Sequence, residues 1–116
     1  MIAQKLNNEF LESIIWMKKF KLDYTKLELE LLCIKNNEEI FYKLNLIDVI
    51  QFQFRNDNVD EDFNVIDVFF EKFNDCPYLQ FMKSDKFNDY WAMRFHEGNH
   101  HMVVGFKKWE LNLLIP

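Results

Sequence analysis

The chain has 116 residues, a length that suits one domain spanning residues 1–116 around one core. Apolar residues make up 49% of it, too many for a disordered segment, and its two glycines exclude a P-loop, a GxGxxG dinucleotide turn and flexible linkers. Fourteen Lys and Arg stand against nineteen Asp and Glu, for a net charge of −5.

That charge is unevenly placed. Residues 1–35 hold six lysines against five acids, residues 36–75 three basic residues against ten acids, and residues 76–116 five basic residues against four acids. The middle third therefore carries the whole excess. An acidic stripe repels phosphate backbones and attracts basic partners, so direct nucleic-acid binding is not expected, although Lys18-Lys19-Phe20-Lys21 could make a local contact. No apolar run approaches the ~20 residues of a membrane helix. The start, Met1 to Leu6, shows neither an apolar signal core nor a small-residue cleavage site. A reduced cytoplasmic protein with buried Cys33 and Cys76 is expected, with no membrane partner.

In chain order, Ile2, Leu6, Phe10, Ile14 and Met17 recur at spacings of three and four, with Leu11 and Ile15 beside them, which predicts a helix over 2–20. Lys18, Lys19 and Lys21 would complement its C-terminal dipole. The period then changes to two. Leu27, Leu29 and Leu31 alternate with Glu28 and Glu30, Asn36-Asn37-Glu38 reads as a turn, and Ile40, Tyr42, Leu44 and Leu46 alternate again, so 26–46 is predicted to be a hairpin. Ile50, Phe52 and Phe54 predict a third strand. Residues 56–62 read as an acidic loop. Phe63, Ile66, Phe70 and Phe73 then form a helical stripe, with Asn58 or Asp60 as cap and Glu61 and Asp62 in its first turn. Pro77 closes that segment, and Tyr78–Met82 is a candidate edge strand. Trp91, Met93 and Phe95 alternate, Glu97-Gly98-Asn99 signals a turn, and Met102, Val104, Phe106, Trp109, Leu111 and Leu113 continue a meander. The sum is an α+β fold: an antiparallel hairpin-rich sheet with an N-terminal helix and one central helix.

Few residues carry recognisable chemistry. His96-Glu97-Gly98-Asn99-His100 matches H-E-x-x-H and resembles the zinc-metallopeptidase signature. On a helix, two histidines four apart hold zinc, and the Glu acts as base on the bound water. Its flanks alternate with period two, and Gly98 stands where a hairpin takes a positive φ. A polar hairpin turn is therefore the first expectation, and a zinc-dependent hydrolase is kept as the alternative. On a hairpin, two of His96, His100 and His101 could chelate a metal adventitiously; no cofactor or functional metal is expected. Asp57-Asn58-Val59-Asp60-Glu61-Asp62 invites a calcium reading, but position six of an EF-hand loop begun at Asn58 is Phe63 and position twelve is Phe69, so the pattern fails. Ser13, Ser84 and Thr25 lie in no nucleophile motif, Cys33 sits in an apolar strand, and the acids near Cys76 would raise its thiol pKa. Thirteen Phe and three Trp exceed what a minimal core needs. Core is the first reading for each, and Trp16, Trp91 and Trp109 are the candidate anchors of an interface.

No catalytic set stands out, so the leading expectation is a binding protein. Asp57, Asp60, Glu61, Asp62, Asp67 and Glu71 would form the contact surface for a basic protein partner. In size, acidity and strand pattern the chain resembles the small immunity proteins that accompany bacterial toxins. That resemblance implies inhibition of a basic enzyme, such as a nuclease toxin, by occlusion of its basic surface. A self-associating structural or regulatory domain, using the surplus aromatics, is the remaining alternative.

Overall fold

The computed structural model describes residues 6–55, 63–64, 67–97 and 100–114, with the side chains of Phe63, Asn64 and His100 left aside. Strands take 63% of the described residues, so the fold is sheet-dominated, and α+β describes it only coarsely. Among the described residues one α-helix, α1 (Asn8–Ser13), precedes nine strands: β1 (Ile14–Asp23), β2 (Lys26–Lys35), β3 (Glu38–Ile47), β4 (Gln51–Arg55), β5 (Phe63–Asn64), β6 (Asp67–Lys72), β7 (Trp91–Glu97), β8 (His100–Phe106) and β9 (Lys108–Leu113). They form a five-stranded sheet in the order β5-β1-β2-β3-β9 and a four-stranded sheet in the order β4-β8-β7-β6. Every pairing is antiparallel.

The hairpin over 26–46 forms as its alternation predicts. β2 and β3 pair in unbroken register from Lys26–Ile47 to Lys35–Glu38. Asn36 and Asn37 both take positive φ, at 53° and 66°, the backbone that a two-residue hairpin turn requires and that asparagine tolerates. β4 and the β7–β8–β9 run also match expectation, but β9 leaves the small sheet and joins the large one beside β3.

Both predicted helices are corrected. Of the described residues of the first, only Asn8–Ser13 are helical, capped by the Asn7 side chain, which accepts from the Phe10 N–H at 2.8 Å; residues 2–5 lie outside the described residues. From Ile14 the chain is strand. Its spacing of three has a physical origin: β1 twice advances two residues while β2 advances one, between Ile14 and Trp16 and between Met17 and Lys19. Each bulge turns the two-residue repeat into three. Ile14 and Met17 are thereby buried together with half-buried Phe20 beside them, a pattern that mimics a helical stripe.

The central helix is replaced by β5 and β6. Phe70 and Phe73, three apart, do not share a face. Phe70 packs into the core between the sheets, and Phe73 lies fully buried in a second core. The proposed caps Asn58 and Asp60 lie outside the described residues. The candidate edge strand at 78–82 is instead a 3-10 segment, Pro77–Met82, flanked by single 3-10 turns at Phe73–Asp75 and Asp85–Phe87. Polar side chains hold it against its own backbone. The Gln80 amide donates to the carbonyls of Asn74 and Cys76 at 3.1 and 2.9 Å, and the Asn74 amide donates to the Ser84 carbonyl and the Asn88 Oδ1, both at 2.9 Å. Such local bonds compete with a ladder.

The main core fills the space between the sheets: Leu27, Leu29, Leu31, Leu44 and Leu46 from one side, Met93, Phe95, Met102, Val104 and Phe106 from the other. Each fully buried side chain of this size contributes about 1.5–3 kcal/mol. Trp91 and Trp109 pack edge to face at 6.1 Å against this core, which gives both a packing role. The second core is smaller. Phe73, Cys76 and Leu79 from the 3-10 segment cover Ala92 and Val103 on the far face of the small sheet. Both cysteines are buried free thiols. Among the described residues no helix is long and apolar enough to cross a membrane.

Candidate functional site

The 3-10 segment caps only part of the small sheet's outer face. The cross-strand register arranges that face in rows. Gln51, Gly105, Ala92 and Glu71 form the first, Gln53, Val103, Arg94 and Phe69 the second, and Arg55, His101, His96 and Asp67 the third. The second core covers the first row in part. Gly105 permits this cover, since a Cβ there would lie 2.8 Å from the Phe73 Cδ2. The third row, at the far end, carries the chemistry.

Arg94 organises the middle of this face. It meets Glu71 in two contacts, Nε to Oε2 at 2.6 Å and Nη2 to Oε1 at 3.4 Å, with the side chains only 14% and 22% exposed. Its guanidinium lies 4.2 Å from the centroid of Phe69 and 5.4 Å from that of Tyr78, within cation–π range of both. Tyr78 in turn sits 5.7 Å from the ring of His96 and 5.7 Å from that of His101. The two imidazoles are 6.0 Å apart. The His96 Nε2 is buried and has no hydrogen-bond partner among the described residues. Burial lowers the His96 pKa below its ordinary value, and the charges of Arg94 and His101 lower it further, against the opposing pull of Asp67 and Glu71.

The expected contact residues divide. Asp57, Asp60, Glu61 and Asp62 lie outside the described residues. Asp67 opens β6, is exposed, and forms no ion pair among the described residues. Glu71 is different: its carboxylate is held by Arg94 and is half-buried, so its charge is compensated within the fold. The segment between β4 and β6 begins after Arg55 and ends before Asp67, the two ends of the third row.

The H-E-x-x-H residues span the end of β7 and the start of β8. His96 pairs with His101, and Glu97 with His100, so the metallopeptidase helix is not formed and the motif lies across a hairpin. Among the described residues no group of three His, Cys, Asp or Glu is placed to hold a metal ion. Burial pushes Cys33 up to about 11, and burial, with the Glu71 charge adding to it, also raises Cys76.

Sequence reasoning missed Arg94, Phe69, Tyr78 and His101 as one cluster. The inward alternation of Trp91, Met93 and Phe95 implied that Arg94 and His96 share the opposite face. Their neighbours on β6 and β8 follow only from register. No family model matches the chain, and no curated protein or solved structure matches it.

Proposed function

We propose that the protein is a small cytoplasmic binding protein of the toxin-immunity or nuclease-inhibitor type, which neutralises a basic enzyme by occluding its basic surface. The observation that carries this reading is the concentration of acid along the chain: residues 56–75 hold seven acids against the single Lys72. Of the described ones, Glu71 is held by Arg94, whereas Asp67 stands exposed at the end of the third row without an ion pair among the described residues. Acid concentrated in one stretch attracts Lys and Arg that would otherwise hold substrate phosphates, and it speeds association. Asp57, Asp60, Glu61, Asp62 and Asp67 are the contact residues in this reading, with Glu71 in a supporting role through Arg94.

The test compares the full chain with Asp60→Lys/Asp62→Lys as immobilised bait in lysates of bacteria that carry the gene. The expected result is a basic enzyme that the wild-type chain retains at low salt, releases as salt rises, and inhibits in solution, while the variant does none of these. An enzyme inhibited equally by both proteins, or the absence of any basic enzyme from the wild-type bait, would overturn the reading.

A further inference from the structure

A groove of about 390 Å³ runs between α1 and β6, lined by Asn8, Leu11 and Glu12 from the helix and Asp67, Val68 and Phe69 from the strand. We propose that this groove receives a single lysine or arginine side chain from the basic partner; the proposal rests on the binding reading above and names its point of insertion. Two observations carry it. The groove's rim is charged on both sides: Glu12 and Asp67 are exposed, and neither forms an ion pair among the described residues. Its lining is mixed: beside the Asn8 amide it offers carbon surface from buried Leu11, half-buried Val68 and the 42% exposed ring of Phe69. This suits the alkyl stem of a long cationic side chain, which buries its methylenes while its head group meets carboxylates.

Among the described residues β6 is the outermost strand of its sheet, with α1 beside it, so the groove opens at an edge. An incoming side chain would therefore reach Glu12 and Asp67 without displacing a ladder.

The probe is N-acetyl-arginine methylamide, titrated into the ¹⁵N-labelled full chain, with N-acetyl-norleucine methylamide as the uncharged control. Saturable shifts confined to Leu11, Glu12 and Asp67–Phe69 are expected, with no comparable response to the control. Glu12→Gln/Asp67→Asn should weaken the response by about tenfold while leaving the rest of the spectrum unchanged. Shifts spread over remote acids such as Glu38 and Asp89, an equal response to norleucine, or full retention in the double variant would overturn the proposal. Its failure is separable from that of the binding reading. If Asp60→Lys/Asp62→Lys abolishes inhibition but Glu12→Gln/Asp67→Asn leaves it intact, the groove is excluded and the partner remains. If the arginine probe seats but no basic enzyme is retained, the groove stands alone.

Discussion

The outer faces of the two sheets solve the problem of exposure differently. On the large sheet, β1 offers Lys19 and Lys21, β2 offers Glu30 and Glu28 opposite them, and β3 offers Lys43 next. Lys19 meets Glu30 at 3.7 Å, and Lys26 and Lys43 meet Glu28 at 3.5 and 3.4 Å. Partial desolvation of Glu28 works to raise its pKa, but the neighbouring lysines prevail and hold it below the ordinary value. On the small sheet a 3-10 cover buries one end, and a half-buried ion pair and stacked rings occupy the rest. The first face is a solvated lattice of interchangeable charges. The second is a fitted surface around Arg94, whose guanidinium has particular neighbours in Glu71, Phe69 and Tyr78. The contrast teaches that net charge alone does not locate a contact surface; what matters is which charges the fold has already compensated.

The sharpest way to break this comparison is to remove the cover. Phe73→Ala should cost about 3–5 kcal/mol in urea unfolding, and Gly105→Ala about 1–3 kcal/mol, because its new methyl meets the same ring. Lys43→Ala on the other face should stay within about 0.5 kcal/mol. Similar losses on both faces would mean that the second core adds little.

A smaller effect separates the ion pairs. A double-mutant cycle on Glu71 and Arg94 should give a coupling of about 1–2 kcal/mol, and one on the solvated pair Glu28 and Lys43 a clearly smaller one. Equal couplings would remove the distinction between fitted and solvated charge.

The smallest effect is the pH response of the third row. The folded protein holds His96 below its ordinary pKa near 6.5, so the unfolded chain binds the extra proton first on acidification. This contribution to stability is complete above about pH 6.5 and is lost as pH falls towards the folded pKa. His96→Phe should flatten the stability profile in that window relative to wild type. An unchanged slope would show that other groups carry it.

Much of the sheet was legible in the sequence because alternation is local. Leu27, Leu29 and Leu31 announce a half-buried strand, and Asn36-Asn37 announces its turn. The helices failed for two separate physical reasons. In β1, bulges convert a period of two into three, and the bulges depend on pairing with β2. Around β6, aromatic residues at helical spacing serve two different cores, and only the completed fold shows that a second core exists. The candidate surface divides in the same way. Asp67 was readable from charge, but the capture of Glu71 by Arg94 joins residues 23 positions apart and needs the β6–β7 register. The groove against α1 could not be read, since the sequence placed Glu12 in a helix that ran on past it.

The two buried cysteines have a practical consequence. Cys33 lies in the core between the sheets, and Cys76 lies under the 3-10 cover, each a free thiol with a raised pKa. A thiol-specific reagent can modify such a group only while its surroundings are open. The unaltered chain therefore contains two built-in clocks, one per core. The order in which alkylation adds mass to Cys76 and Cys33 records whether the cover lifts before the sheets part, with no dye, tag or engineered probe.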